Sequence, residues 1–126
     1  MSKIVNLATE DEEQAALFMW AAYAQGAHPE LGLMYSVPNG GLRNIATAVR
    51  LKKTGTRAGV PDIFLPVAKG GFHGLFVEMK KREGGRVNIE QKIWLNALNE
   101  QGYRAVVCKG WEHARDEITK YLEVMP

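Results

Sequence analysis

The chain has 126 residues, 46% hydrophobic and 24% charged, with a single cysteine and a formal net charge of +2. That length and apolar content suit one soluble domain, residues 1–126, and the lone Cys108 excludes an intrachain disulfide and fits a reducing cytosol. The opening MSKIVNLATEDEE is no signal peptide, and the longest apolar stretch, AALFMWAAYA, is too short to span a bilayer.

Thr9 followed by Glu12 has capping-box spacing, which predicts a helix from about residue 10 to about 25. Its middle, Ala15 to Ala24, is apolar almost all the way round, as in a buried core helix or one pressed against a second subunit. Residues 26–33 read as a loop. MYSV is then a short strand, stopped by Pro38 and the turn-forming Asn39-Gly40-Gly41. Leu42, Ile45, Ala48 and Val49 recur at helical spacing, and Gly55 is a natural end for that second helix.

Two strands are expected at Asp62–Val67 and Gly74–Lys80, joined by a loop containing Lys69-Gly70-Gly71. Asn88 and Gln91 announce a helix with apolar positions Ile89, Ile93, Ala97 and Leu98, ended by Gly102. YRAVVC is the fourth strand, and Trp111, Ala114, Ile118, Tyr121 and Leu122 mark a final amphipathic helix. Strands joined by a short loop pair antiparallel, and the strand–helix–strand unit from 74 to 108 pairs parallel with a right-handed crossover. The expected fold is α/β, a small mixed sheet flanked by helices.

Charge is segregated along this framework. Residues 31–61 contain no acid and carry Arg43, Arg50, Lys52, Lys53 and Arg57, and a second basic group follows at Lys80, Lys81, Arg82 and Arg86. Such a distribution marks either a surface that meets phosphate or an ordinary solvated helix face. His28, His73 and His113 lack metal-ligand spacing and receive no role.

The unusual feature is charge inside two apolar strands. Alternation turns Phe76, Glu78 and Lys80 to one face of their strand and Leu75, Val77 and Met79 to the other. With Asp62 on the neighbouring strand, two carboxylates come close, and their burial costs several kcal/mol without a compensating cation. A divalent metal with oxygen ligands removes the cost, and Lys80 would then stand beside the attacking water. The bland alternative is a charge-compensated Asp/Glu/Lys cluster at a sheet edge, where lysine discourages aggregation.

Five stretches in order, PNGG (38–41), AGVPDIFLP (58–66), GLFVEMK (74–80), IEQKIWL (89–95) and GYRAVVCKG (102–110), resemble the VRR-NUC domain. This is the virus-type replication-repair nuclease branch of the PD-(D/E)xK phosphodiesterases, and the resemblance is to the small stand-alone members of phages and prophages. It implies a restriction-endonuclease-like core with Asp62, Glu78 and Lys80 on the PD…ExK positions, and Mg²⁺ or Mn²⁺ held by Asp62, Glu78 and the carbonyl of Met79. It also implies a glutamate on the first helix, which fits Glu10 best because Glu10 shares a helix face with Gln14. Glu13 is second choice, and Glu12 is the cap. Gln91 matches a family glutamine that contacts the site or the DNA backbone; otherwise it is the capping partner of Asn88. Asn39 resembles a family turn near the site, and Arg43, Arg50, Lys53 and Arg57 are candidate DNA contacts.

The function expected from this resemblance is a metal-dependent DNA endonuclease, a homodimeric Holliday-junction resolvase in the cytoplasm. Flap or other branched DNA is the alternative substrate, and a non-catalytic DNA-binding accessory module the alternative class. A restriction-type nuclease would need a recognition element for which the compact chain leaves little room.

Overall fold

The computed structural model describes residues 8–38 and 45–123. Helix α1 (Glu10–Ala24) starts where the capping box predicts. Thr9 Oγ1 accepts from the Glu12 amide at 3.1 Å, and Glu12 Oε1 accepts from the Thr9 amide at 2.8 Å. A 3-10 turn (Pro29–Leu33) leads into strand β1 (Tyr35–Ser36), and helix α2 (Ile45–Lys53) follows. Strands β2 (Ile63–Leu65) and β3 (Leu75–Lys80), helix α3 (Ile89–Glu100), strand β4 (Arg104–Lys109) and helix α4 (Trp111–Leu122) complete the order. The strand and helix sequence is the one expected; the first part of the predicted second helix, residues 42–44, lies outside the described residues.

The sheet runs β1-β2-β3-β4. The β1–β2 and β2–β3 pairs are antiparallel and β3–β4 is parallel, in register from Leu75↔Arg104 to Lys80↔Lys109. This is the mixed α/β sheet that the short loop and the long crossover require. One face is the core. Ile63, Leu65, Leu75, Val77 and Met79 are buried there against Leu17 and Ala21 of α1 and Ala114, Ile118 and Leu122 of α4. The other face carries aromatics in cross-strand contact: Phe64 stacks on Phe76 at 4.2 Å, with Tyr35 and Tyr103 edge-on to this pair.

The apolar run of helix α1 is buried along one side only. Leu17 and Ala21 are buried in the core, whereas Met19 and Tyr23 are 76% and 90% exposed. Helix α3 departs from its apolar pattern: Ile89 and Ile93 are exposed, and Trp94, Leu95 and Leu98 are the partly buried positions. Polar anchoring explains the rotation. The Asn99 side chain donates to the Ala105 carbonyl at 3.2 Å and accepts from the Ala105 amide at 3.1 Å, pairing α3 with the free edge of β4. Gln91 fixes the other end through Glu78.

Candidate active site

The site is built where β2 stops short of β3. The last β2–β3 pair is Ile63↔Val77, so Glu78, Met79 and Lys80 run on without a β2 partner. Asp62 lies just ahead of β2, and its Oδ2 fills that gap by accepting from the Met79 amide at 2.7 Å. A strand residue turns its N–H and C=O toward the same neighbour, so the Met79 carbonyl also points to the Asp62 side. The turn before Asp62 depends on Gly59, whose φ is +94°; a Cβ there would come within 2.7 Å of the Glu90 backbone. That contact seats the turn on the first turn of α3, the turn that carries Gln91.

Gln91 performs both functions open to it. Its Oε1 accepts from the Asn88 amide at 2.9 Å, completing the capping box, while its Nε2 donates to Glu78 Oε2 at 3.0 Å. Lys80 Nζ lies 3.4 Å from the same Glu78 oxygen. Glu78 and Lys80 are 1% and 6% exposed, so this is no solvated cluster. The other Glu78 oxygen, Oε1, is buried and accepts from no N–H or hydroxyl group, and the Glu78 and Asp62 carboxyls lie within hydrogen-bonding reach of each other.

Electrostatics follow from that geometry. Burial raises the Glu78 carboxyl to about 8; the charge of Asp62 pushes in the same direction and Lys80 only partly offsets them. Burial also raises Asp62, against the lowering effect of the Met79 amide. Two acids strained toward the protonated form, a buried oxygen with no N–H or hydroxyl donor and a carbonyl on the same side form a donor set that fits a hard divalent cation. Among the described residues no three of His, Cys, Asp and Glu gather as a metal site, so the set is two carboxylates plus backbone oxygen.

The acids of α1 divide the work differently from a simple first-helix glutamate. Glu12 caps the helix. Asp11 is the α1 acid whose charge raises Asp62, and it lines a groove with Gln14, Phe18 and Ser36. Glu10, the first helical residue, is exposed. Glu13 is 1% exposed and structural: it accepts from Arg82 Nε at 2.9 Å and from the Trp111 amide at 2.9 Å, and Arg82 in turn pairs with Glu112. This clasp ties α1 to the segment just beyond Lys80 and to the start of α4. Gly110 makes room for it, since a Cβ there would meet Arg82 Cγ at 3.0 Å.

Replacement of Glu13 by Gln should lower stability by about 2 kcal/mol, the scale of lost hydrogen bonds to a charged group. The readout is the unfolding midpoint in urea. An equal loss in Glu10→Gln would contradict this division of roles.

Of the other residues singled out in the sequence, Arg50, Lys53 and Arg57 are exposed, and Asn39 and Arg43 lie outside the described residues. The Glu13–Arg82 clasp had no local sequence signal. Glu13 is the last of four consecutive acids, Glu10 to Glu13, and nothing local sets it apart from its neighbours.

A model of the VRR-NUC domain matches residues 6–112. The chain belongs to the VRR-NUC family. A solved structure described as a VRR_NUC domain protein is similar to it with a TM-score of 0.83 and 29% identity, over 96% of this chain and 93% of that one. No curated protein sequence matches. The VRR-NUC assignment makes this a nuclease domain of the PD-(D/E)xK type, for which DNA is the implied substrate, and nucleases of this family generally depend on a divalent metal. Within this VRR-NUC chain, no helix among the described residues is long and apolar enough to cross a membrane.

Proposed function

We propose that this VRR-NUC chain is an Mg²⁺- or Mn²⁺-dependent endonuclease that hydrolyses phosphodiesters in branched DNA, acting as a homodimeric Holliday-junction resolvase. The observation that carries the hydrolytic reading is the buried Glu78 Oε1, without an N–H or hydroxyl donor, beside Asp62 and Lys80. Asp62, Glu78 and the Met79 carbonyl would hold the metal, which supplies Lewis-acid polarisation of the phosphate and a more acidic water. Lys80 orients that water and offsets the negative charge that grows on the phosphoryl oxygens. The water oxygen bonds to phosphorus as the bridging P–O bond breaks; the water gives up a proton to solvent and the leaving oxygen takes one from it, leaving a phosphate monoester and a free hydroxyl. Gln91 holds Glu78 in place through its amide nitrogen, while its oxygen keeps the helix start rigid.

Glu10 is the α1 glutamate assigned to the reaction, from the face it shares with Gln14. Glu10→Gln should therefore lower turnover more than Glu12→Gln or Glu13→Gln at matched folded fractions. Support for a second copy comes from α1, where Met19 and Tyr23 are largely exposed. Two-fold symmetry suits a substrate whose strands must be cut at matched positions.

The direct test is incubation with four-way junction, flap and linear duplex DNA, with and without Mg²⁺ or Mn²⁺. Metal-dependent cleavage of the junction in preference to the other two is expected. Preferred cutting of the flap would transfer the substrate assignment, and absence of cleavage with every metal would leave a DNA-binding module.

The acid-free segment should supply much of the phosphate contact. Replacing Arg43 and Arg50 together is expected to weaken junction binding and flatten its salt dependence by roughly one or two counterions. Fluorescence anisotropy across salt concentrations, with Ca²⁺ in place of Mg²⁺, reads the slope. An unaltered slope would return both arginines to the solvated surface.

A further inference from the structure

A groove of about 410 Å³ opens between the end of β1, the turn after α2, and α3, within the range of about 300–1,000 Å³ typical of small-ligand sites. Val37 and Pro38 form one wall, Thr54, Thr56 and Arg57 another, and the half-buried indole of Trp94 a third. Two chain connections tie it to the reaction centre. Val60 of its lining is two residues ahead of Asp62. Trp94 is three residues after Gln91, on the same face of α3, and Gln91 donates to Glu78. Among the described residues no acid lines the groove, and its one charged side chain is Arg57.

We propose that this groove receives one unpaired nucleobase of the strand being cut, stacked on the Trp94 indole, with Arg57 on the phosphate beside it. The proposal rests on the nuclease reading and adds a substrate-binding residue to it. An indole among aliphatic side chains, with Arg57 in the same lining and no acid among the described residues, matches a base attached to its phosphate. A paired base enters only after unpairing and unstacking, at a cost of a few kcal/mol. An unpaired base at a branch point is free of that cost, which couples occupancy of the groove to DNA structure. Sequence readout should be weak. Thr54 commits its hydroxyl to the carbonyls of Arg50 and Leu51 at 2.9 and 3.2 Å, leaving it no proton for a base edge.

The test pairs removal of the base with removal of the ring. Junction DNA carrying a single abasic site, moved through the nucleotides around the branch point, is titrated with wild-type protein, Trp94→Leu and Trp94→Phe in Ca²⁺. Wild type should lose about ten-fold in affinity at one abasic position, the scale of stacking one base on an aromatic ring. Trp94→Leu should bind intact DNA about ten-fold more weakly and be indifferent to that same abasic site, and Trp94→Phe should restore most of the loss. Penalties that add, or no sensitive position, would overturn the proposal. Unfolding midpoints identify any variant that lowers affinity only by losing its fold, and Trp94→Phe then carries the cycle. Because the readout is binding, cleavage assays in Mg²⁺ judge the nuclease reading separately.

Discussion

Asp62→Ala and Glu78→Ala should each abolish cleavage, by about a thousand-fold or more, while the folded protein persists. Each removes one of two carboxylates that would share the cation, and the Lewis-acid effect is worth several kcal/mol at about 1.4 kcal/mol per factor of ten. The same replacements relieve a strained pair, so activity and stability should move in opposite directions. Glu78→Gln isolates that effect because it keeps the shape and removes the charge. In the metal-free wild type the folded chain holds the Glu78 proton up to about 8, whereas the unfolded chain releases it near 4.5. Between those values the native state binds more protons, so this contribution to stability is complete below about 4.5 and is lost as pH rises to about 8. Asp62, also raised, acts with the same sign. The difference in melting midpoint between Glu78→Gln and wild type should therefore grow with pH across that interval, to several degrees in favour of the variant. Near-wild-type turnover in either alanine variant would remove the active-site assignment. A pH-independent difference in midpoint would remove the electrostatic account of it.

The second large effect is expected at Lys80. Lys80→Ala should reduce turnover by about a hundred-fold or more at saturating metal, the scale of one lost donor aimed at developing negative charge. Metal affinity should change far less, because two consequences oppose each other. Loss of the ammonium lets Glu78 hold its proton more tightly, which competes with the cation, but it also removes a positive charge 3.4 Å from a ligand oxygen. Calorimetric titration of Mn²⁺ beside rate measurements separates binding from turnover. If affinity collapses while turnover at saturating metal is normal, Lys80 serves the ion and not the water.

What the sequence determined by itself is local. The Thr9–Glu12 and Asn88–Gln91 boxes fix the starts of α1 and α3 because their bonds close within three residues. Alternation along β3 puts Glu78 and Lys80 on one face whatever surrounds them. The tertiary structure decided the rest. Periodicity cannot tell which acid of α1 is buried, because the partners of Glu13 lie 69 residues away at Arg82 and 98 away at Trp111. Nor can it tell which side of α3 faces the sheet. Its exposed isoleucines look like the core face, yet bonds from Asn99 to the β4 edge and from Gln91 to Glu78 hold the side with Trp94, Leu95 and Leu98 against the fold instead. Even the two readings of Gln91 were never alternatives. One amide has an oxygen for the helix cap and a nitrogen for the carboxylate, and only the approach of β3 to α3 lets a single side chain satisfy both.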